Sequence, residues 1–217
     1  MKDHFLQHLE KHVSYTVSDE RYFDVLTQVE RLVKKGNPAV IAIDGRCGSG
    51  KTSLANLIDN IFSCNILHMD DFYLPIEQRE KNWTEIPAGN MDLKRFLQEV
   101  LCPLRQGIAV NYRPYCCKKG CMGNAVVLKP CNLTVVEGSY SLHPLLAAQY
   151  DLTVFLTCKE QEQRRRLQMR EGSNFSAFAT RWIPLEERYI RHYEIESAAN
   201  ITVDTGSFDD NIVKLQK

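Results

Sequence analysis

Between Asp19 and Lys35 the apolar residues Tyr22, Phe23, Val25, Leu26, Val29, Leu32 and Val33 recur at helical spacing, and Gly36-Asn37-Pro38 ends the run. The period then changes. Ala39-Val40-Ile41-Ala42-Ile43 is continuously apolar, the pattern of a strand covered on both faces in a parallel sheet. Further strands are expected at residues 65–68, 133–136, 152–156 and 200–203, with helical patterns over 52–62, 92–104, 142–149, 159–170 and 184–199. Strands alternating with helices predict an α/β fold, a parallel sheet between two layers of helices. Residues 105–131 interrupt the alternation with Gly107, Pro114, Gly120, Gly123 and Pro130 around short β-prone pieces, which predicts a hairpin or lid-like insertion. The organisation expected is an N-terminal helical segment over residues 1–36 and one α/β domain over 37–217.

Composition narrows the partners. The 217 residues carry 27 Lys+Arg and 27 Asp+Glu, a net charge of zero, which disfavours a dedicated binder of nucleic acid or of an anionic membrane. A hydrophobic content of 44% with 25% charged residues is ordinary globular usage and excludes whole-chain disorder. No stretch approaches the roughly 20 apolar residues of a membrane span, and Met1-Lys2-Asp3-His4-Phe5-Leu6-Gln7-His8 has no apolar signal core. A cytoplasmic setting is therefore expected, with the eight cysteines as thiols. Four of them, Cys116, Cys117, Cys121 and Cys131, crowd the insertion. Only Cys117 and Cys121 have the spacing of a zinc knuckle, with no second knuckle, so buried free thiols are the expectation. His4, His8 and His12 lie at i, i+4, i+8 without a nearby acid, as on a solvated terminal face.

Gly45-Arg46-Cys47-Gly48-Ser49-Gly50-Lys51-Thr52 matches the spacing G-x-x-x-x-G-K-[ST] in full, directly after the first strand and directly before a helical pattern. Glycines let successive backbone N–H groups converge on phosphate oxygens, and the following helix N-terminus favours the anion. Residues 45–52, with Ser53, are the expected nucleotide-binding loop. Lys51 is expected to reach the β/γ-phosphates and the Thr52 hydroxyl to join a Mg²⁺ shell.

Three further features bear on the kind of nucleotide enzyme. Asp70 and Asp71 follow the second strand at its C-terminal end, where open α/β sheets bind ligands. An Asp there can take the proton of an attacking hydroxyl. Glu137 ends the strand over 133–136, a place for an acid that holds Mg²⁺, usually through water. Arg164-Arg165-Arg166 and Arg170 form a basic run in which 166 and 170 share a helix face and can clamp phosphate oxygens. No Asn-Lys-x-Asp guanine-reading motif occurs. Together these features point to phosphoryl transfer onto a small hydroxyl compound. The other class open to the loop is an ATP-binding regulatory or chaperone-like module, which needs neither Asp70 nor an acceptor pocket.

The loop over 45–52, Asp70-x-Phe72-Tyr73, Val135-Val136-Glu137-Gly138-Ser139-Tyr140 and Tyr150-Asp151-Leu152-Thr153-Val154-Phe155-Leu156 with its arginine helix resemble uridine kinase and its relatives across roughly residues 38–206. Those relatives include phosphoribulokinase, pantothenate kinase and nicotinamide riboside kinase. The resemblance implies a P-loop kinase fold with a five-stranded parallel sheet, an arginine lid and a substrate-side insertion, with ATP and Mg²⁺ as cofactors. It also implies a small, nucleoside-like acceptor and leaves a homo-oligomer open. Asp70 matches the family's base, Lys51 its loop lysine, Glu137 its strand-end acid, and Arg166 and Arg170 its lid arginines. Asp71, Tyr73, Asp92, Arg113 and Tyr115 are the candidate acceptor contacts. The chain departs from uridine kinase in Ile86-Pro87-Ala88-Gly89-Asn90-Met91-Asp92, where only the last Asp aligns, and in its hairpin, Tyr112-Arg113-Pro114-Tyr115-Cys116-Cys117, which lacks the family's His.

Overall fold

The structure, a computed structural model, describes residues 17–206; the terminal histidines His4, His8 and His12 lie outside them. Helix α1 (Phe23–Lys34) leads into strand β1 (Ala39–Gly45), whose seven residues are all buried. The continuous apolar run thus becomes the middle strand, as expected of a strand that side chains must cover from both faces. Helix α2 (Lys51–Phe62) and strand β2 (Asn65–His68) follow. The insertion comprises β3 (Val110–Tyr112), β4 (Tyr115–Cys116), β5 (Cys121–Met122) and β6 (Val126–Leu128), where β3 pairs antiparallel with β6 and β4 with β5. Then come β7 (Leu133–Glu137), β8 (Leu152–Thr157), α3 (Glu160–Glu171), α4 (Ile183–His192) and β9 (Ile201–Asp204).

The central sheet has the order β2-β7-β1-β8-β9 and is parallel throughout. Alternation along β1 feeds two cores. Val40 and Ala42 face one packed with Phe72, Phe96 and Tyr112 of the insertion side. Ile41 and Ile43 face another with Val25, Leu26 and Val29 of α1 and Leu54 and Ile58 of α2. Register then sets the site. Ile43 and His68 both lie opposite Glu137, and Gly45 lies opposite Leu156, so the carboxyl ends of four strands stand level at one edge. That edge is where open α/β sheets place ligands.

Three expected helices come out differently. The pattern over 142–149 yields only Pro144–Ala147, because Pro144 starts the helix and His143 Nδ1 caps it by accepting from the Leu145 N–H. The run over 92–104 is Leu93–Phe96, a π-type segment Leu97–Leu101 and Cys102–Arg105. A second π-type segment, Phe178–Trp182, precedes α4. In both cases a proline, Pro103 or Pro184, follows two residues later; it has no N–H to return and crowds the carbonyl four residues back, which widens the preceding turn. The helix expected over 184–199 breaks at Glu194, which has a positive φ of 52° and starts a separate turn, Ile195–Ala198.

Candidate functional site

A cleft of about 790 Å³ opens over the level strand ends. Its floor is the turn from β1 into α2. Gly45 there has no room for a side chain: a Cβ would sit 2.1 Å from the Leu156 carbonyl oxygen. Gly50, the residue before α2, has a φ of 96°, which favours glycine, and turns the chain so that the first amides of the helix face the cleft. Cys47, Gly48, Ser49, Gly50, Lys51, Thr52 and Ser53 line it, while Gly45 and Arg46 do not. The Arg46 side chain points elsewhere, bound by Glu187, Glu196 and the Thr157 hydroxyl. Two observations fit the loop to a phosphate chain. Ser49 is wholly buried and its Oγ has no hydrogen-bond partner, and the Lys51 ammonium, held by the carbonyls of Gly45 and Arg46 at 2.6 and 3.1 Å, places its charge inside the loop.

Thr52 Oγ1 lies 3.3 Å from both carboxylate oxygens of Glu137. A hydroxyl beside a carboxylate is a hard oxygen pair of the kind Mg²⁺ takes with water completing its shell, so these residues fit the ion. On its other side Glu137 Oε1 meets His68 Nδ1 at 2.6 Å, and this contact raises the His68 pKa. Asp70, in the short turn Met69–Phe72 after β2, also lines the cleft. It is open to the cleft water yet crowded by protein. That desolvation, the first cause, raises its pKa, with Glu137 and Glu186 adding to it, while the Tyr73 hydroxyl at 3.1 Å and Lys51 oppose the rise.

The arginine helix α3 divides cleanly. Arg164 and Arg165 pair with Glu160 and Glu162 on the exposed side. Arg166 and Arg170 face the cleft. Arg166 donates to the Gly48 carbonyl, to both oxygens of Thr205 and to Glu162, so it ties the helix to the loop. Arg170 lies 5.6 Å over the Phe178 ring and pairs with Glu171. Thr205, just past β9, donates its hydroxyl to the Ser49 carbonyl at 2.9 Å, closing the loop from behind.

Of the five candidate acceptor contacts the cleft brings in Tyr73 alone. Asp71 accepts from the Tyr112 hydroxyl at 2.8 Å. Asp92 caps the helix beginning at Leu93 and pairs with Arg95. Arg113 donates to the carbonyls of Gly123 and Met122 inside the hairpin, and Tyr115 is buried beneath it. None of these four lines the cleft: Asp71 and Asp92 are half-buried and Arg113 is exposed on the hairpin. Among the described residues no group of three or more His, Cys, Asp or Glu side chains could hold a metal ion; the eight cysteines are unpaired thiols, but those of the insertion are not buried as expected, Cys117 and Cys121 being exposed and Cys116 and Cys131 half-buried.

Two acids were missed by sequence reasoning. Asp44, 1% exposed, accepts from the Gly45 and Leu142 N–H groups and from the Tyr189 hydroxyl, and its burial raises its pKa to about 6. Glu186, 8% exposed on α4, accepts from the Cys47 N–H at 2.8 Å and the Ser139 hydroxyl at 2.6 Å, and lines the cleft. It stands four residues after Trp182, on a helix face otherwise filled by Leu185, Tyr189 and Ile190, and its spacing alone does not mark it.

Comparisons with known proteins bear on the fold. Over about 85% of this chain and 98% of its own length, the structure of a possible uridine kinase from Bacillus stearothermophilus superimposes with a TM-score of 0.67 at 19% identity. A protein described as a candidate fructose transport system kinase, from Silicibacter sp. TM1040, does so with a TM-score of 0.60 at 21% identity, over 82% of this chain and 98% of its own. At these identities the likeness is one of fold, the P-loop kinase arrangement of five parallel strands flanked by helices. No helix of the described residues is long and apolar enough to cross a membrane. The family model "Phosphoribulokinase / Uridine kinase family" matches residues 40–172, from β1 through the arginine helix, and by that match the chain belongs to the phosphoribulokinase and uridine kinase family of P-loop kinases.

Proposed function

We propose that this protein is an ATP- and Mg²⁺-dependent kinase that transfers the γ-phosphoryl group to a hydroxyl of a small molecule, with a nucleoside as the leading acceptor class. The observation that carries this reading is Asp70. It shares one cleft with the 47–53 loop and the Thr52–Glu137 pair, within reach of the Lys51 charge. A switch-type ATP-binding module has no use for an acid there. In the proposed reaction the loop amides and Lys51 hold the phosphates, and Thr52 and Glu137 hold Mg²⁺, which neutralises charge on the phosphates when bound. The Asp70 carboxylate accepts the proton of the acceptor hydroxyl and aims its oxygen in line. Arg166 and Arg170 cover the phosphates and keep water out, which limits wasteful hydrolysis. The unpaired thiols support a cytoplasmic setting for this activity.

The test is ADP release with Mg·ATP against uridine, cytidine, nicotinamide riboside, pantothenate, ribulose phosphate and glycerate. One strong acceptor is expected, and Asp70→Asn should cut its kcat by roughly 10²–10⁴ while ATP binding persists. ATP binding without acceptor-stimulated release for any small hydroxyl compound would overturn the kinase reading in favour of the switch-type module, and an Asp70→Asn enzyme with normal turnover would sink Asp70 as the base.

A further inference from the structure

Glu186 is not used by the chemistry above, yet it sits in the same cleft. Both of its oxygens are engaged by protein donors, the Cys47 N–H and the Ser139 hydroxyl, so the side chain is fixed. Its charge reaches the loop at Cys47 and, across the cleft, Asp70, Tyr73 and Tyr140, each of whose pKa it helps to raise. The lining there is aromatic. Trp182, one helical turn before Glu186, lies 6.2 Å from the Tyr73 ring, and Tyr140 stands beside them. The cationic groups lining the cleft, Arg21, Lys51, Arg166 and Arg170, come from the loop, the two helices around it and the segment before α1. On the acceptor side the arginines are turned to the protein: Arg79 donates to the Leu74 carbonyl, Arg95 to the Asp71 and Arg113 carbonyls, and Arg113 to Gly123 and Met122. None of the three lines the cleft.

We infer that Glu186 is a specificity-determining residue. With Asp70 it makes the acceptor side of the cleft anionic, so that the site takes acceptors offering hydroxyl or ammonium donors against aromatic faces and rejects those bearing a phosphate or carboxylate. This rests on the kinase reading and deepens it. A fixed carboxylate repels an anionic acceptor group across the cleft, whereas a cationic acceptor, or a neutral one that offers a donor, gains from it.

Matched acceptors test this: uridine against orotidine, pantothenol against pantothenate, and fructose against fructose 6-phosphate, each with wild type, Glu186→Gln and Ser139→Ala. Wild type should prefer the uncharged member of whichever pair it phosphorylates. In Glu186→Gln that preference should narrow by about tenfold, through KM of the anionic member, with KM for ATP nearly unchanged. Ser139→Ala removes a partner of Glu186 but leaves the charge, and should keep the preference. Raising salt from low to high should narrow it in wild type, a readout that survives a variant that fails to fold. A wild-type preference for the anionic member, or a preference indifferent to both Glu186→Gln and salt, would sink the charge role while leaving a working kinase. So would an equal KM rise for ATP in Glu186→Gln and Ser139→Ala, which would mean that Glu186 only braces the loop. If wild type phosphorylates no member of any pair and no acceptor of the wider panel although Mg·ATP protects it from thermal unfolding, the kinase reading falls and this inference with it.

Discussion

Asp44 shows how much a single side chain can be asked to bear. Three donors and the nearby Lys51 favour its ionised form, but burial outweighs them and lifts its pKa to about 6 from 3.8. The folded chain therefore holds this proton more tightly than the unfolded chain. The group's contribution to stability is full below about pH 4 and is lost as pH rises to about 6, a change on the order of 2–3 kcal/mol. Denaturant midpoints of wild type and Asp44→Asn should accordingly shift relative to each other between pH 4 and 6 and run parallel above pH 7. Parallel curves throughout would show that the carboxyl titrates alike in both states. Neither Asp44 nor Glu186 was legible in the sequence as a site residue. One is an acid at the end of an apolar run and the other an acid on an amphipathic helix, and nothing local to either says that a tyrosine hydroxyl or a loop amide will come to meet it.

At the level of elements, the strand-to-helix turns carry the tightest constraints. Gly45 packs against the β8 backbone at the point where β1 ends, and any side chain there must push the paired strands β1 and β8 apart. Gly45→Ala should lower the thermal midpoint by more than about 10 °C, a loss of at least about 3 kcal/mol, or abolish soluble expression; a melting curve within about two degrees of wild type would contradict the close approach. Elements of this kind were the readable portion of the chain. Buried parallel strands announce themselves as short unbroken apolar runs, and the phosphate loop does so because its spacing is imposed by backbone geometry alone. What escaped was context. Pro103 widened a helix whose apolar spacing looked regular, and Glu194 ended a pattern that periodicity would have carried on. Of the candidate acceptor contacts, Asp92 caps a helix, Arg113 donates to hairpin carbonyls and Tyr115 packs in the core, partners that their sequence positions do not announce.

For the whole molecule, ligand and fold are one equilibrium. A cleft built from the ends of β1, β2 and β7 exists only in the folded state, so Mg·ATP at a hundred times its Kd should add about 2.7 kcal/mol, or roughly 5–11 °C for a chain of this size. Lys51→Ala should abolish the shift, and a shift that persisted would place the nucleotide elsewhere. The contact between Thr205 and the Ser49 carbonyl spans 156 positions of sequence, and Arg166 leans on the same threonine. On a ribosome, β1 and its loop emerge early, yet Thr205, which closes them, emerges only after the last described strand. The nascent chain therefore passes most of its synthesis with a nucleotide loop that is made but not finished. Competence to bind arrives late and all together, at the moment β9 docks beside β8.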